Sequence, residues 1–168
     1  MTKIILAIDP GKSGGFAFKH SDNVHVVTGN LPEDDGGTME WMRDLAGQAE
    51  SVELHIEKVG SHAGDLGMAA SMAKLYGGKR FIEGFALGLG WRVVNVQAKT
   101  WQAFFSFGKK NKVKKIRKGK EVEAVDDVEW KNRLKAEAMK RFSGVKVTLN
   151  NADALLILEH ALSNPALL

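Results

Sequence analysis

The sequence predicts an α/β protein, built as one mixed five-stranded sheet flanked by helices. Three observations lead there. Residues 3–8 are an apolar, β-prone run, and two more short β-prone segments follow it across brief turns. Two later strand-like runs, at 52–57 and 91–96, are each preceded by a stretch with helical spacing. Strands alternating with helices are the pattern of a sheet with helices packed on it. At 168 residues and 44% apolar composition, the chain is long and apolar enough for one domain, 1–168, with its own core.

Each element has a local reason. The first strand ends at Asp9-Pro10-Gly11, which is turn chemistry. Gly14–Phe18 is a second strand, and Asp22-Asn23 turns the chain into a third at Val24–Thr28, an antiparallel meander. Met39, Met42, Leu45, Ala46 and Ala49 recur at helical spacing, with Thr38 as N-cap, so a helix spans 38–50. Val52–Glu57 alternates as a strand, and the glycine-rich Gly60–Gly67 reads as a loop that brings His62 to the surface. Met68, Met72, Leu75, Ile82, Ala86 and Leu89 mark a long helix that passes through or kinks at Gly77-Gly78 and stops at Gly88 and Gly90. Trp91–Val96 is the fifth strand. Lys99–Phe107 is a short helix whose Trp101, Phe104, Phe105 and Phe107 suit the core better than base stacking. Glu129–Phe142 and Asn150–Leu162 are the closing helices.

The chain has no cysteine, which excludes a disulfide framework, a thiolate zinc site and a cysteine nucleophile. The apolar run at its start is too short to span a bilayer, so a soluble, cytoplasmic protein is expected. The net charge is only +4, but its distribution is uneven. Lys109, Lys110, Lys112, Lys114, Lys115, Arg117, Lys118 and Lys120 fall in one stretch with no acid, read as a loop at about 108–120 that orders on a polyanion. Nucleic acid is the simplest such partner, held by phosphate contacts that carry no sequence information.

Three carboxylates have apolar neighbours. Asp9 ends the first strand, Glu57 ends Leu54-His55-Ile56, and Asp153 lies in a helix that is apolar nearly all round. A buried carboxylate is costly unless it is hydrogen-bonded, paired or bound to a metal. Each acid alone also has a structural reading. Asp9 suits an Asp-Pro-Gly turn, Glu57 a strand end, and Asp153 the first turn of a helix capped by Asn150. Two strand-end acids and one on a helix crossing them would together form an oxygen-only site suited to Mg²⁺ or Mn²⁺.

The motifs then acquire a family resemblance. Ile5-Leu6-Ala7-Ile8-Asp9-Pro10-Gly11 with Gly14-Gly15-Phe16-Ala17 resembles the first strand and turn of the RuvC-type Holliday-junction resolvases. Leu54–Lys58 resembles their second acidic strand, Trp91–Trp101 their strand-to-helix step, and Asn150–Ala154 their closing helix. The resemblance implies a ribonuclease-H-like fold. It also implies two divalent ions, Mg²⁺ or Mn²⁺, held by Asp9, Glu57 and Asp153 as catalytic residues, with Asp9 bridging. It further implies hydrolysis of branched DNA to 5′-phosphate and 3′-hydroxyl ends by a homodimer that nicks twice. Asn150 departs from the pattern. An acid or histidine is usual there, and asparagine supplies at most an auxiliary carbonyl or hydrogen bond.

Other readings fare differently. Gly11-Lys12-Ser13 is not a phosphate loop, because Leu6 stands where that motif needs glycine. Sugar-kinase and actin-like ATPases need two such domains, and this chain has room for one. A ribonuclease-H-like RNA-processing nuclease would share the acids, and a non-catalytic branched-DNA-binding protein would share the basic stretch. The small size and basic insert suit a phage as well as a cellular owner.

Overall fold

The computed structural model describes residues 1–11, 14–59, 66–117 and 119–164. The central sheet has the order β3-β2-β1-β4-β5 and comprises β1 (Lys3–Ile8), β2 (Gly15–His20), β3 (Val26–Asn30), β4 (Ser51–Glu57) and β5 (Arg92–Val96). β1, β2 and β3 form the predicted antiparallel meander, while β1–β4 and β4–β5 pair in parallel. The parallel pairs need crossovers, supplied by α1 (Asp35–Ala46) and α2 (Leu66–Gly88). Then come α3 (Ala98–Phe104), β6 (Lys112–Arg117), β7 (Lys120–Val125), α4 (Asp127–Arg141) and α5 (Ala152–Leu162).

Strand alternation sorts the core into two layers. Ile4, Leu6 and Ile8 of β1 join Val52, Leu54 and Ile56 of β4 beneath Met42 and Leu45 of α1 and Ile82 and Ala86 of α2. Ile5 and Ala7 face the other way, into a core with Trp101 of α3, Trp130 and Leu134 of α4, and the apolar run of α5. Helix α5 is buried almost all round because it packs on β1, β2 and β4 with α3 and α4 beside it. No helix among the described residues is long and apolar enough to cross a membrane.

Several expectations are corrected. The basic stretch is not all loop: from Lys112 on, β6 and β7 form an antiparallel hairpin with Lys114 opposite Glu123 and Ile116 opposite Glu121. The acids that follow the cations in sequence return beside them, so Lys112 pairs with Glu123 at 3.3 Å and Lys114 with Glu121 at 3.0 Å. Asp34, not Thr38, caps α1, its carboxylate accepting from the Gly37 N–H at 2.7 Å. Helix α2 runs through Gly77-Gly78 unbroken. Helix α5 begins after Asn151 rather than Asn150, which still leaves Asp153 in its first turn. The predicted His62 loop, up to residue 65, and Lys118 lie outside the described residues.

Two glycines are required by close approach. A Cβ on Gly15 would lie 2.6 Å from the Gly29 carbonyl oxygen and 2.8 Å from that of Asn150, where β2, β3 and the entry to α5 meet. A Cβ on Gly14 would collide with the Asp9 carbonyl oxygen. Gly15→Ala is therefore expected to cost about 1–3 kcal/mol, as overpacking of a rigid contact does. Urea unfolding measures it, and a loss under about 0.5 kcal/mol would show that the backbone yields there.

Candidate active site

Asp9 follows β1 on the same side as Ile5 and Ala7, the side covered by α5. Glu57 ends β4 on the same side as Glu53 and His55. The pairing of Ile8 with Ile56 sets the two acids side by side at the carboxyl ends of neighbouring parallel strands. That edge is where open α/β sheets gather their ligands. Asp153, in the first turn of α5, comes down onto the same place. Three segments far apart in sequence thus bring their carboxylates together.

The electrostatics report this closeness. Burial raises the pKa of Asp9, opposed by the Gly11 N–H, which donates to Oδ1 at 3.1 Å, and by the charge of Lys131. Burial, then the charges of Asp9 and Asp153, push Glu57 up to about 7, against a hydrogen bond from Trp101. Burial, then Asp9, push Asp153 up to about 6, with Lys131 and Lys110 opposing. Asp9 is the shared member, since its charge acts on both of the others. Raised carboxylate pKa values in a partly open cluster are a mark of functional sites.

Three further residues serve this cluster. Trp101, fully buried, donates its indole N–H to Glu57 Oε2 at 3.0 Å and so fixes that carboxylate. Lys131 of α4 stands 3.7 Å from Asp153 Oδ2 and is the main positive charge near all three acids. Neither role was visible in sequence: Trp101 reads as core, and Lys131 as one exposed lysine on an amphipathic helix. Asn151 is buried, accepting from the Thr148 N–H at 2.7 Å and donating to the Lys146 carbonyl at 3.0 Å, which pins the turn into α5. The amide of Asn150 points to Asn30 Oδ1 at 3.5 Å, a long contact.

The donor set fits a hard divalent cation in a specific way. Asp153 Oδ1 is buried without a hydrogen-bond partner among the described residues, and the three acids destabilise one another's charge. A cation would relieve both. Yet no three acid, imidazole or thiol groups among the described residues stand close enough to hold a single ion. Mg²⁺ rarely needs that; one or two carboxylates, with water and substrate phosphate, commonly suffice. Asp9 acts electrostatically on both Glu57 and Asp153, which makes each of these pairs a candidate for such partial ligation.

Of the expected nucleic-acid contacts, Lys112, Lys114 and Lys115 lie on β6, and Lys120 starts β7. Lys115 pairs with Asp127 at 3.5 Å, so all three β6 lysines have acidic neighbours. Such exposed pairs are weak and leave the lysines able to exchange partners. Lys109 and Lys110 precede the hairpin, and Lys110 faces the carboxylates closely enough to act on Asp153.

Removing the indole donor tests the arrangement. Trp101→Phe is expected to lower any hydrolytic rate by about 10–100-fold, as loss of a group orienting a metal ligand does. Circular dichroism should report an unchanged fold. An unchanged rate would mean that Glu57 needs no such support.

No protein-family model matches the chain, and no curated protein matches it. Solved structures do. T. thermophilus RuvC in complex with Holliday junction substrate is 13% identical, with a TM-score of 0.51 over 94% of this chain and 92% of that one. A second Thermus thermophilus RuvC structure is 15% identical, with a TM-score of 0.46 over 94% and 93%. The first likeness, with the strand order above, gives the chain a RuvC-like, ribonuclease-H-like α/β fold.

Proposed function

We propose that this protein is a divalent-metal-dependent endonuclease that cuts branched DNA, such as a four-way junction, by phosphodiester hydrolysis. The observation that carries the reading is the convergence of three half-buried carboxylates, Asp9, Glu57 and Asp153, whose pKa values are raised by partial burial and, for Glu57 and Asp153, by the charge of Asp9. Asp9 would be the ligand common to two Mg²⁺ or Mn²⁺ ions, with Glu57 and Asp153 completing one each. When bound, the ions supply Lewis-acid polarisation of the scissile phosphate and a water acidic enough to attack it. The chain's own groups do the rest. Trp101 holds Glu57 in orientation, the Gly11 N–H holds Asp9, and Lys131 offers a positive charge to a phosphate entering beside Asp153. No side chain is needed as nucleophile.

The solved relative bound to a Holliday junction supports branched DNA as the substrate class. The cations at 109–120 would grip the arms through phosphates, independently of sequence. A homodimer would place two such sites for paired nicks, as recombination and repair of junctions require.

The test is cleavage of a labelled synthetic four-way junction, with linear duplex and structured RNA beside it, with and without Mg²⁺. Symmetric, metal-dependent nicks on the junction alone are expected. Cleavage of the RNA instead would move the protein to RNA processing. Tight junction binding without cleavage would make it a structural binder, with Asn150 as the first residue to examine.

A further inference from the structure

A cavity of about 250 Å³ lies between α3, the segment that follows it, and α4. Its apolar lining includes Ala103, Phe107 and Trp130, and the two aromatic rings meet at 72° with centroids 5.5 Å apart. Its polar groups are Gln102, Ser106, Lys99 and Lys110. Among the described residues, none of these four side chains makes a hydrogen bond or ion pair. Lys110 instead holds its ammonium 4.8 Å from the centre of the Trp130 ring. No acid lines the space.

Two further features suit a ligand. Ser106 has φ of +54°, the one non-glycine residue with positive φ among the described residues. Ser106 follows the C-cap Phe105 of α3 and donates its N–H to the Ala103 carbonyl at 3.1 Å, so the turn that ends the helix holds it in this conformation in the cavity wall. The cavity and the carboxylate cluster also draw on the same two helices. On α3, Trp101 reaches Glu57 while Gln102 lines the cavity. On α4, Trp130 lines the cavity while Lys131 reaches Asp153.

We propose that this cavity receives a single nucleobase of the strand whose phosphate lies at Asp9, Glu57 and Asp153. The base lies over the half-buried Phe107, with the edge of Trp130, only 6% exposed and flanked by Lys110 at 4.8 Å and Arg133 at 5.6 Å, as the wall behind it. Gln102 and Ser106, each able to donate and accept, meet its edge, and Lys99 and Lys110 meet the phosphates on either side. The chemistry selects a nucleotide: aromatic surface for stacking, neutral bifunctional groups for an edge, and cations for phosphate. The volume falls below the roughly 300–1,000 Å³ of drug-sized sites, which suits one base. The strand-borne form of this inference rests on the nuclease reading, whereas nucleotide binding does not.

The test therefore has two arms. The first titrates metal-free protein with dAMP, dCMP, dGMP and TMP, and with deoxyribose 5-phosphate, following the Trp130 indole N–H resonance assigned through Trp130→Phe. A saturable shift with at least one nucleotide and none with the sugar phosphate is expected. Gln102→Ala and Ser106→Gly should each weaken it about tenfold, as loss of one base contact does. The glycine variant keeps the positive φ, so it should fold. The second arm places an abasic residue at each position around the cut in a four-way junction. One position should lower binding about tenfold, with Gln102→Ala adding nothing there.

Failure of every nucleotide to shift Trp130, with no sensitive abasic position, overturns the proposal even where the junction is cut. An equal shift with deoxyribose 5-phosphate also overturns it. An abasic effect shared with Gln102→Ala supports it even when free nucleotides bind too weakly to see. A nucleotide shift without any abasic effect overturns the strand-borne form. A nucleotide shift in a protein that neither binds nor cuts junctions upholds the pocket and defeats the branched-DNA reading.

Discussion

Asp9→Asn should abolish junction cleavage, by at least the roughly 10²–10³-fold that follows removal of one preorganised electrostatic group at a reacting phosphate. Asp9 acts on both other acids, and its oxygen is already held by the Gly11 N–H at 3.1 Å. Asparagine keeps the size and that acceptor but brings no charge to share between cations. Folding should survive, because the variant removes a half-buried charge rather than adding one. Junction binding in EDTA should also persist, since phosphate contacts from the cationic segment do not involve Asp9. Cleavage by Asp9→Asn within tenfold of the parent would remove Asp9 from the catalytic centre.

Glu57→Gln should do the opposite to stability. In the metal-free folded protein Glu57 keeps its proton up to about pH 7, against 4.5 for an ordinary glutamate. Between those values the folded state binds more protons than the unfolded chain. Stability contributed by this group therefore falls as pH rises from about 4.5 to about 7, and stays lower above it. Asp153, raised from 3.8 to about 6, adds a loss of the same sign in a lower window. Glutamine escapes the Glu57 part and can still accept from the Trp101 indole. At pH 8 in EDTA, Glu57→Gln should be more stable than the parent by about 1–3 kcal/mol, below the full value of the shift because the group is partly solvated. At pH 4 that gain should vanish. The buried His55 and His160, whose pKa values burial lowers, are common to both proteins and cancel. Thermal unfolding at the two pH values reads the difference, and a variant less stable than the parent at pH 8 would show that the Glu57 charge is not strained. Its cleavage should nonetheless be crippled, the usual exchange of function against stability at such sites.

What was legible in the sequence follows from period and punctuation. The apolar run before Asp9-Pro10-Gly11, the alternation of Val52–Glu57 and the apolar closing helix all survive as β1, β4 and α5, with boundaries displaced by at most two residues. Asp9, Glu57 and Asp153 stood out because a charge beside apolar neighbours is anomalous on its own strand or helix. The hairpin did not stand out. Lysines have little strand preference, and the acids that support β6 lie across a turn marked only by Gly119, with φ of +74°. Trp101 and Lys131 reach their partners across 44 and 22 residues, so their roles depend on how α3 and α4 dock on α5. No local pattern records that docking. Asp34 outcompeted Thr38 as the cap of α1 because its carboxylate accepts from the Gly37 N–H and so starts the helix one turn earlier.

If Asp9, Glu57 and Asp153 are a divalent-metal site, calorimetric titration of the protein with Mn²⁺ in the absence of nucleic acid will detect it. Saturable binding at pH 7.5, weakened at pH 5.5 as Glu57 and Asp153 take up protons, and lost in Asp9→Asn, is the result expected. Absence of binding at millimolar Mn²⁺, or binding that Asp9→Asn leaves unchanged, would contradict it.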